Sequence, residues 1–168
     1  MADHLHQFAV DKIGLYGGDQ NAMKAAGHDL RNTTQLLECQ IPDLCFPLTC
    51  TIDWCGYRLI AMCLLPIDKS TIIYGSCDAG ETVHDKDIYF SSLMKEAARK
   101  LNLAEHIAGV EASNSRALWT CADAEGHRSQ SDSRYYVIDL ARLCPPEAST
   151  RKTFLYKQLR PEYVQKYK

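Results

Sequence analysis

Apolar positions along the chain fall into a few runs with readable periods. Over 20–37, Ala22, Ala25, Ala26, Leu30, Leu36 and Leu37 recur at helical spacing, and Asp19 just ahead of them suits an N-cap, so a helix is predicted there. A sharper stripe covers 88–101. Ile88, Phe90, Leu93, Met94, Ala97, Ala98 and Leu101 face one way, while Lys95, Glu96, Arg99 and Lys100 face the other. Between the two helices, 48–54 and 57–65 read as strands joined by Cys55-Gly56, the spacing of a two-residue hairpin. Apart from Arg58, the second of these strands is apolar on both alternating faces, which predicts a central strand covered on both sides. A third strand is expected at 71–74, and aromatic and β-branched residues predict two more at 118–121 and 135–140.

The remaining segments punctuate these elements. Residues 1–18 are weakly patterned and end in Gly17-Gly18, 102–116 reads as a polar connection, and 122–134 reads as a polar loop between the last two strands. Pro145-Pro146 stop any regular element, since proline fixes φ and has no N–H to donate; a further helix is predicted over 151–159. The order of helices and strands predicts a single α+β domain, an antiparallel sheet core with packed helices, preceded by an N-terminal extension at 1–18 and occupying 19–168. At 168 residues such a domain buries a core without covalent staples.

Composition changes this picture in two places. The formal net charge of −2 gives the whole chain no electrostatic reason to bind nucleic acid or an anionic membrane, yet the C-terminal stretch 148–168 holds Arg151, Lys152, Lys157, Arg160, Lys166 and Lys168 against Glu162 alone. It reads either as a solvated helix or as a basic face for a partner. Phe154, Tyr156, Tyr163 and Tyr167 among those cations suit single-stranded RNA, whose bases stack while its phosphates pair with Lys and Arg. The eight cysteines form no C-x-x-C pair and have no histidine at zinc-finger spacing, so reduced thiols are expected rather than disulfides or zinc ligands. The start of the chain lacks the basic and apolar regions of a signal peptide, and no apolar run is long enough to insert into a bilayer.

Candidate chemistry is concentrated in two polar loops. Loop 75–84 carries Asp78, Glu81 and His84; Gly75 and Gly80 have phosphate-loop spacing, but Glu81 stands where lysine is required, which excludes that reading. The second region carries Asp123, Glu125, His127, Asp132 and Arg134, followed by Asp139 and Arg142. If the strands before the two loops are neighbours in one sheet, Asp78, His84, Asp123, Glu125, His127 and Asp132 converge on one side. One reading is then a metal-dependent phosphotransferase or hydrolase, with Asp123 or Asp139 holding Mg²⁺ through oxygen and His127 as the acid or base. Another is structural: Asp132 with Arg134, or Asp139 with Arg142, forms an ion pair, and His127 bonds backbone carbonyls. A third is a surface for protein or RNA.

The segments GYRLIAMCLLPI (56–67), YGSCDAGETVH (74–84), MKEAARKLNL (94–103), CADAEGHRSQSDSRYYVIDLARLCPPE (121–147) and FLYKQLRPEYV (154–164) together resemble the Clu domain of the clustered-mitochondria protein family, over roughly residues 22–164. The resemblance implies a non-enzymatic domain of large cytoplasmic proteins that keep mitochondria distributed through the cell and associate with messenger RNAs for mitochondrial proteins, so the partners expected are messenger RNA and/or ribosome-associated proteins. Those proteins also carry a further N-terminal domain and a C-terminal array of helical repeats, so this chain is expected to be an excised domain or a short relative. One departure stands out: SQSDSRYY (129–136) replaces an expected glycine-bearing GxDGRYY, which leaves the geometry of that turn open.

Overall fold

A computed structural model describes residues 19–144. The N-terminal extension, the basic residues Arg151, Lys152, Lys157 and Arg160, and the helix expected over 151–159 lie outside the described residues. Two helices, α1 (Asp19–Glu38) and α2 (Ile88–Leu101), accompany three sheets. The principal sheet has five strands in the order β1 (Leu44–Cys45), β9 (Tyr135–Ile138), β8 (Glu125–Arg128), β4 (Ile72–Gly75) and β5 (His84–Asp85). The strands β2 (Thr49–Trp54) and β3 (Tyr57–Met62) form a sheet of their own, as do β6 (His106–Ala108) and β7 (Arg116–Leu118). The α+β class holds. The principal sheet is mixed rather than wholly antiparallel, because β1 runs parallel to β9.

The helix predicted over 88–101 is α2, for the physical reasons its sequence offers. Asp87 caps it by accepting from the Phe90 N–H at 3.0 Å, and Asn102 ends it in the left-handed conformation, φ 57°. Its stripe Phe90, Leu93, Met94 and Ala97 is buried with Tyr74, Leu118 and Val137 in one core, although Ile88 at its first turn is 90% exposed. Phe90 comes so close to the sheet that a Cβ on Gly126 would stand 2.3 Å from its ring. Gly75, at φ +79°, lies where a Cβ would meet the Ala124 carbonyl oxygen at 1.6 Å. Both positions need glycine because backbone and ring have taken the space of a side chain.

The hairpin at Cys55-Gly56 forms as its spacing predicts, with both turn residues at positive φ (48° and 84°) as a type I′ turn requires. The expected central strand is corrected. Among the described residues β3 pairs only with β2, and most of its residues are exposed. Three more corrections concern short polar strands. The loop expected over 122–134 contains β8, the connection expected over 102–116 contains β6, and the strand expected at 118–121 is β7, which ends at Leu118. β8 reads Glu-Gly-His-Arg, which no hydrophobic period would reveal.

Candidate functional site

The acids and histidines singled out in the sequence fall into four groups, the last two adjoining through Glu125. In loop 76–84, Ser76 is the organiser: its hydroxyl donates to Asp78 Oδ1 at 2.8 Å and accepts from the Gly80 N–H at 2.9 Å. Asp78 Oδ1 also accepts from the Thr82 N–H at 2.8 Å, and these bonds, that of Thr82 foremost, hold the carboxyl below its ordinary range. Asp78 is thereby turned into its own loop. His84 starts β5 opposite Gly75, and partial burial, with Lys86 nearby, lowers its affinity for a proton.

The second group closes the turn from β8 to β9. The Ser129 hydroxyl, almost fully buried, accepts from the Ser131 N–H at 3.2 Å. Asp132 accepts from the Tyr136 hydroxyl at 2.7 Å and from the Arg134 N–H at 3.1 Å, which together keep its carboxyl low. Arg134 therefore meets Asp132 through its backbone N–H. Ser133 adopts φ +59° at the place where the resemblance predicts glycine, so the turn holds a left-handed residue there without the glycine that suits it.

The third group surrounds His127. Its ring is 3% exposed, with Nδ1 3.0 Å from Thr71 Oγ1 and Nε2 3.1 Å from Glu125 Oε2. These partners are side chains, not the backbone carbonyls expected. Thr71 also accepts from the Asp68 N–H at 3.0 Å, and its single proton can go either to the Asp68 carbonyl at 2.7 Å or to His127. If it goes to His127, the ring donates from Nε2 to the Glu125 carboxylate. If it goes to Asp68, Nδ1 must be the donor to Thr71, and a further proton lies between His127 and Glu125. In either case both ring nitrogens are engaged, and the side chain ties the turn before β4 to β8.

Beyond Glu125 lies a patch of carboxylates. Arg142 Nε meets Asp123 Oδ2 at 2.5 Å, so the arginine expected on Asp139 belongs to Asp123. Asp139, at φ +59°, is exposed, yet its carboxyl is pushed up to about 7, first by lost hydration and then by Asp29, Glu125 and Asp123, with Arg142 opposing. Water still reaches the residue, so the like charges are the firmer of these causes. Among the described residues no three His, Cys, Asp or Glu side chains stand where they could hold a metal ion. Within the set Asp123, His127 and Asp139, Asp123 is engaged with Arg142, His127 is held in a buried bridge to Thr71 and Glu125, and Asp139 stands exposed within electrostatic reach of Asp123 and Glu125. The two loops touch where Gly75 lies against the Ala124 carbonyl, and they also border an open cleft of about 420 Å³, where Ala79 and Asp123 share the lining with Leu103, His106, Trp119 and Arg142.

Three side chains with structural hydrogen bonds escape a sequence reading. Thr71 looks like the start of an apolar strand and is the hydroxyl on His127. Asp29 accepts from the Leu140 N–H at 2.8 Å, and Asn32, 1% exposed, donates to the Leu140 and Ala141 carbonyls at 2.8 and 3.3 Å. The available signal was spacing: Ala25, Asp29, Asn32 and Leu36 form one i, i+4, i+7, i+11 stripe, so two polar residues stood on the apolar face of α1.

Comparison with known proteins adds a consistent result. The clustered mitochondria (CLU) family model matches residues 2–149. The chain is 31% identical over 160 residues to the clustered mitochondria protein of Arabidopsis thaliana, covering 89% of this chain and 11% of that protein. It is 31% identical over 139 residues to the clustered mitochondria protein homolog of Caenorhabditis elegans, covering 78% and 11%, and 29% identical over 141 residues to protein clueless of Drosophila virilis, covering 81% and 10%. The chain spans only about a tenth of the length of these relatives. No solved structure matches it.

Proposed function

This chain belongs to the clustered mitochondria family, and from that membership we propose that it is a non-catalytic, cytoplasmic binding domain that acts in the distribution of mitochondria through contacts with messenger RNA or with ribosome-associated proteins. The family match across residues 2–149 carries the reading. The interior supports it in a second way. Groups that would have to face a substrate in an enzyme are committed to the fold: both nitrogens of His127 are bonded, Asp78 and Asp132 accept from their own turns, and Asp123 holds Arg142. No helix among the described residues is long and apolar enough to cross a membrane.

The RNA branch assigns contact to Arg151, Lys152, Lys157 and Arg160. Its test is fluorescence anisotropy with unstructured single-stranded RNA across a salt series. Expected is binding that weakens steeply with salt, and a log–log slope shallower by about three when those four residues become alanine, since each phosphate contact on a single strand contributes about 0.7. No binding at low salt would overturn the RNA branch and leave protein contact. For the cellular role, loss of the chain's gene should gather mitochondria into clusters; an unchanged distribution would overturn it.

A further inference from the structure

The β2–β3 hairpin has two unlike faces. Asp53 and Arg58 stand opposite each other on one of them, joined by two bonds of 2.7 and 2.8 Å, and α1 lies on this side, with Gly27 close to the Arg58 guanidinium. The other face presents Cys50, Ile52 and Trp54 from β2 and Tyr57, Leu59 and Ala61 from β3, register partners in three cross-strand pairs. None is charged. The ladder continues one step further, where the Cys63 N–H donates to the Leu48 carbonyl at 2.9 Å and Leu48 is 82% exposed. Trp54 is 70% exposed, Tyr57 56% and Ile52 44%. An antiparallel sheet normally turns a polar face to water, so a wholly apolar one this open marks an interface.

We infer that this face is a docking surface for a second copy of the same chain, a two-fold pairing of hairpin against hairpin that goes beyond the function proposed above. Charge favours this occupant. The six residues of this face are uncharged and the ladder's Asp53 and Arg58 lie on the other side, so two copies can meet here with no like-charge juxtaposition, and a strand of RNA would find no cation on it. Area permits it as well. From their exposures, the apolar side chains offer on the order of 500 Å² per copy, about 1,000 Å² for the pair, the lower bound of a specific interface. Large aromatic anchors at the centre, Trp54 and Tyr57, are the residue types that carry most binding energy in such contacts.

The test is sedimentation velocity on the whole chain from low micromolar to several hundred micromolar. A monomer–dimer equilibrium is expected, its dissociation constant raised at least tenfold by I52K with W54K. Both positions are exposed, so circular dichroism should show the fold intact. The control I88K sits on the exposed start of α2, away from the hairpin, and should leave association unchanged. A monomer at every concentration would overturn the inference. So would a dimer that survives I52K with W54K, or one that I88K weakens equally.

Discussion

The five-stranded sheet and the β2–β3 hairpin invert each other's chemistry. Under the sheet, polar groups are buried and matched: His127, Thr71, Ser76, Ser129 and Asn32 are all inside, and every buried side-chain nitrogen or oxygen among the described residues has a partner. On the hairpin, apolar groups are exposed and unmatched. A buried polar group without a partner costs about 1–3 kcal/mol, so the sheet can hold its histidine and asparagine only by fixing their surroundings. An exposed apolar side chain costs the monomer little and becomes favourable only when something covers it. Conformational specificity is thus concentrated in one region and capacity for contact in the other.

Substitutions can break that contrast, and the largest effect belongs to the sheet. Gly75→Ala would place a methyl against the Ala124 carbonyl at a φ that L-residues avoid, and neither backbone can withdraw without parting β4 from β8. We expect a loss of at least about 3 kcal/mol in urea denaturation, or no folded protein at all. Next is Asn32→Ala, which leaves the Leu140 and Ala141 carbonyls without their side-chain donor and should cost about 2 kcal/mol in the same assay.

A smaller effect of opposite sign is expected at Asp139. Its folded carboxyl keeps a proton to a higher pH than the unfolded chain does, so its charge opposes folding increasingly as pH rises from near 4 to about 7. Asp139→Asn should therefore stabilise by less than about 1 kcal/mol at pH 7, since water screens an exposed group, and by nothing below pH 4. Thermal melts at the two pH values read the difference. The smallest effect is on the hairpin: Trp54→Ser should move the stability of the monomer by less than about 0.5 kcal/mol. A larger loss in dilute urea titrations would mean that Trp54 is part of the core after all.

The same contrast decides what the sequence revealed. Periodic apolar segments were readable, so α2, α1 and the Cys55-Gly56 hairpin stand where hydrophobic spacing put them. β3 was misplaced because a strand apolar on both faces looks central, and periodicity cannot say whether anything covers the second face. β8 was invisible for the reverse reason. Gly126 is there to admit Phe90, and His127 is buried by virtue of Thr71 and Glu125, so both owe their positions to residues distant in sequence. At the candidate site the sequence named polar residues but not the partners that hold them. Asp132 was expected on the Arg134 side chain and Asp139 on Arg142; the structure gives Asp132 a tyrosine hydroxyl and a backbone N–H, and gives Arg142 to Asp123.

The contact between α1 and the end of β9 also sets a schedule for synthesis. Asp29 and Leu140 are 111 positions apart, and among the described residues β1 pairs with β9 alone. A ribosome adding 5–20 residues per second needs on the order of 10 s to make that stretch. For that interval the apolar stripe of α1 and the open hairpin emerge together with neither Asn32 nor β1 able to dock. The nascent chain therefore passes through a window in which chaperones can hold it, and these contacts close late, when β9 arrives.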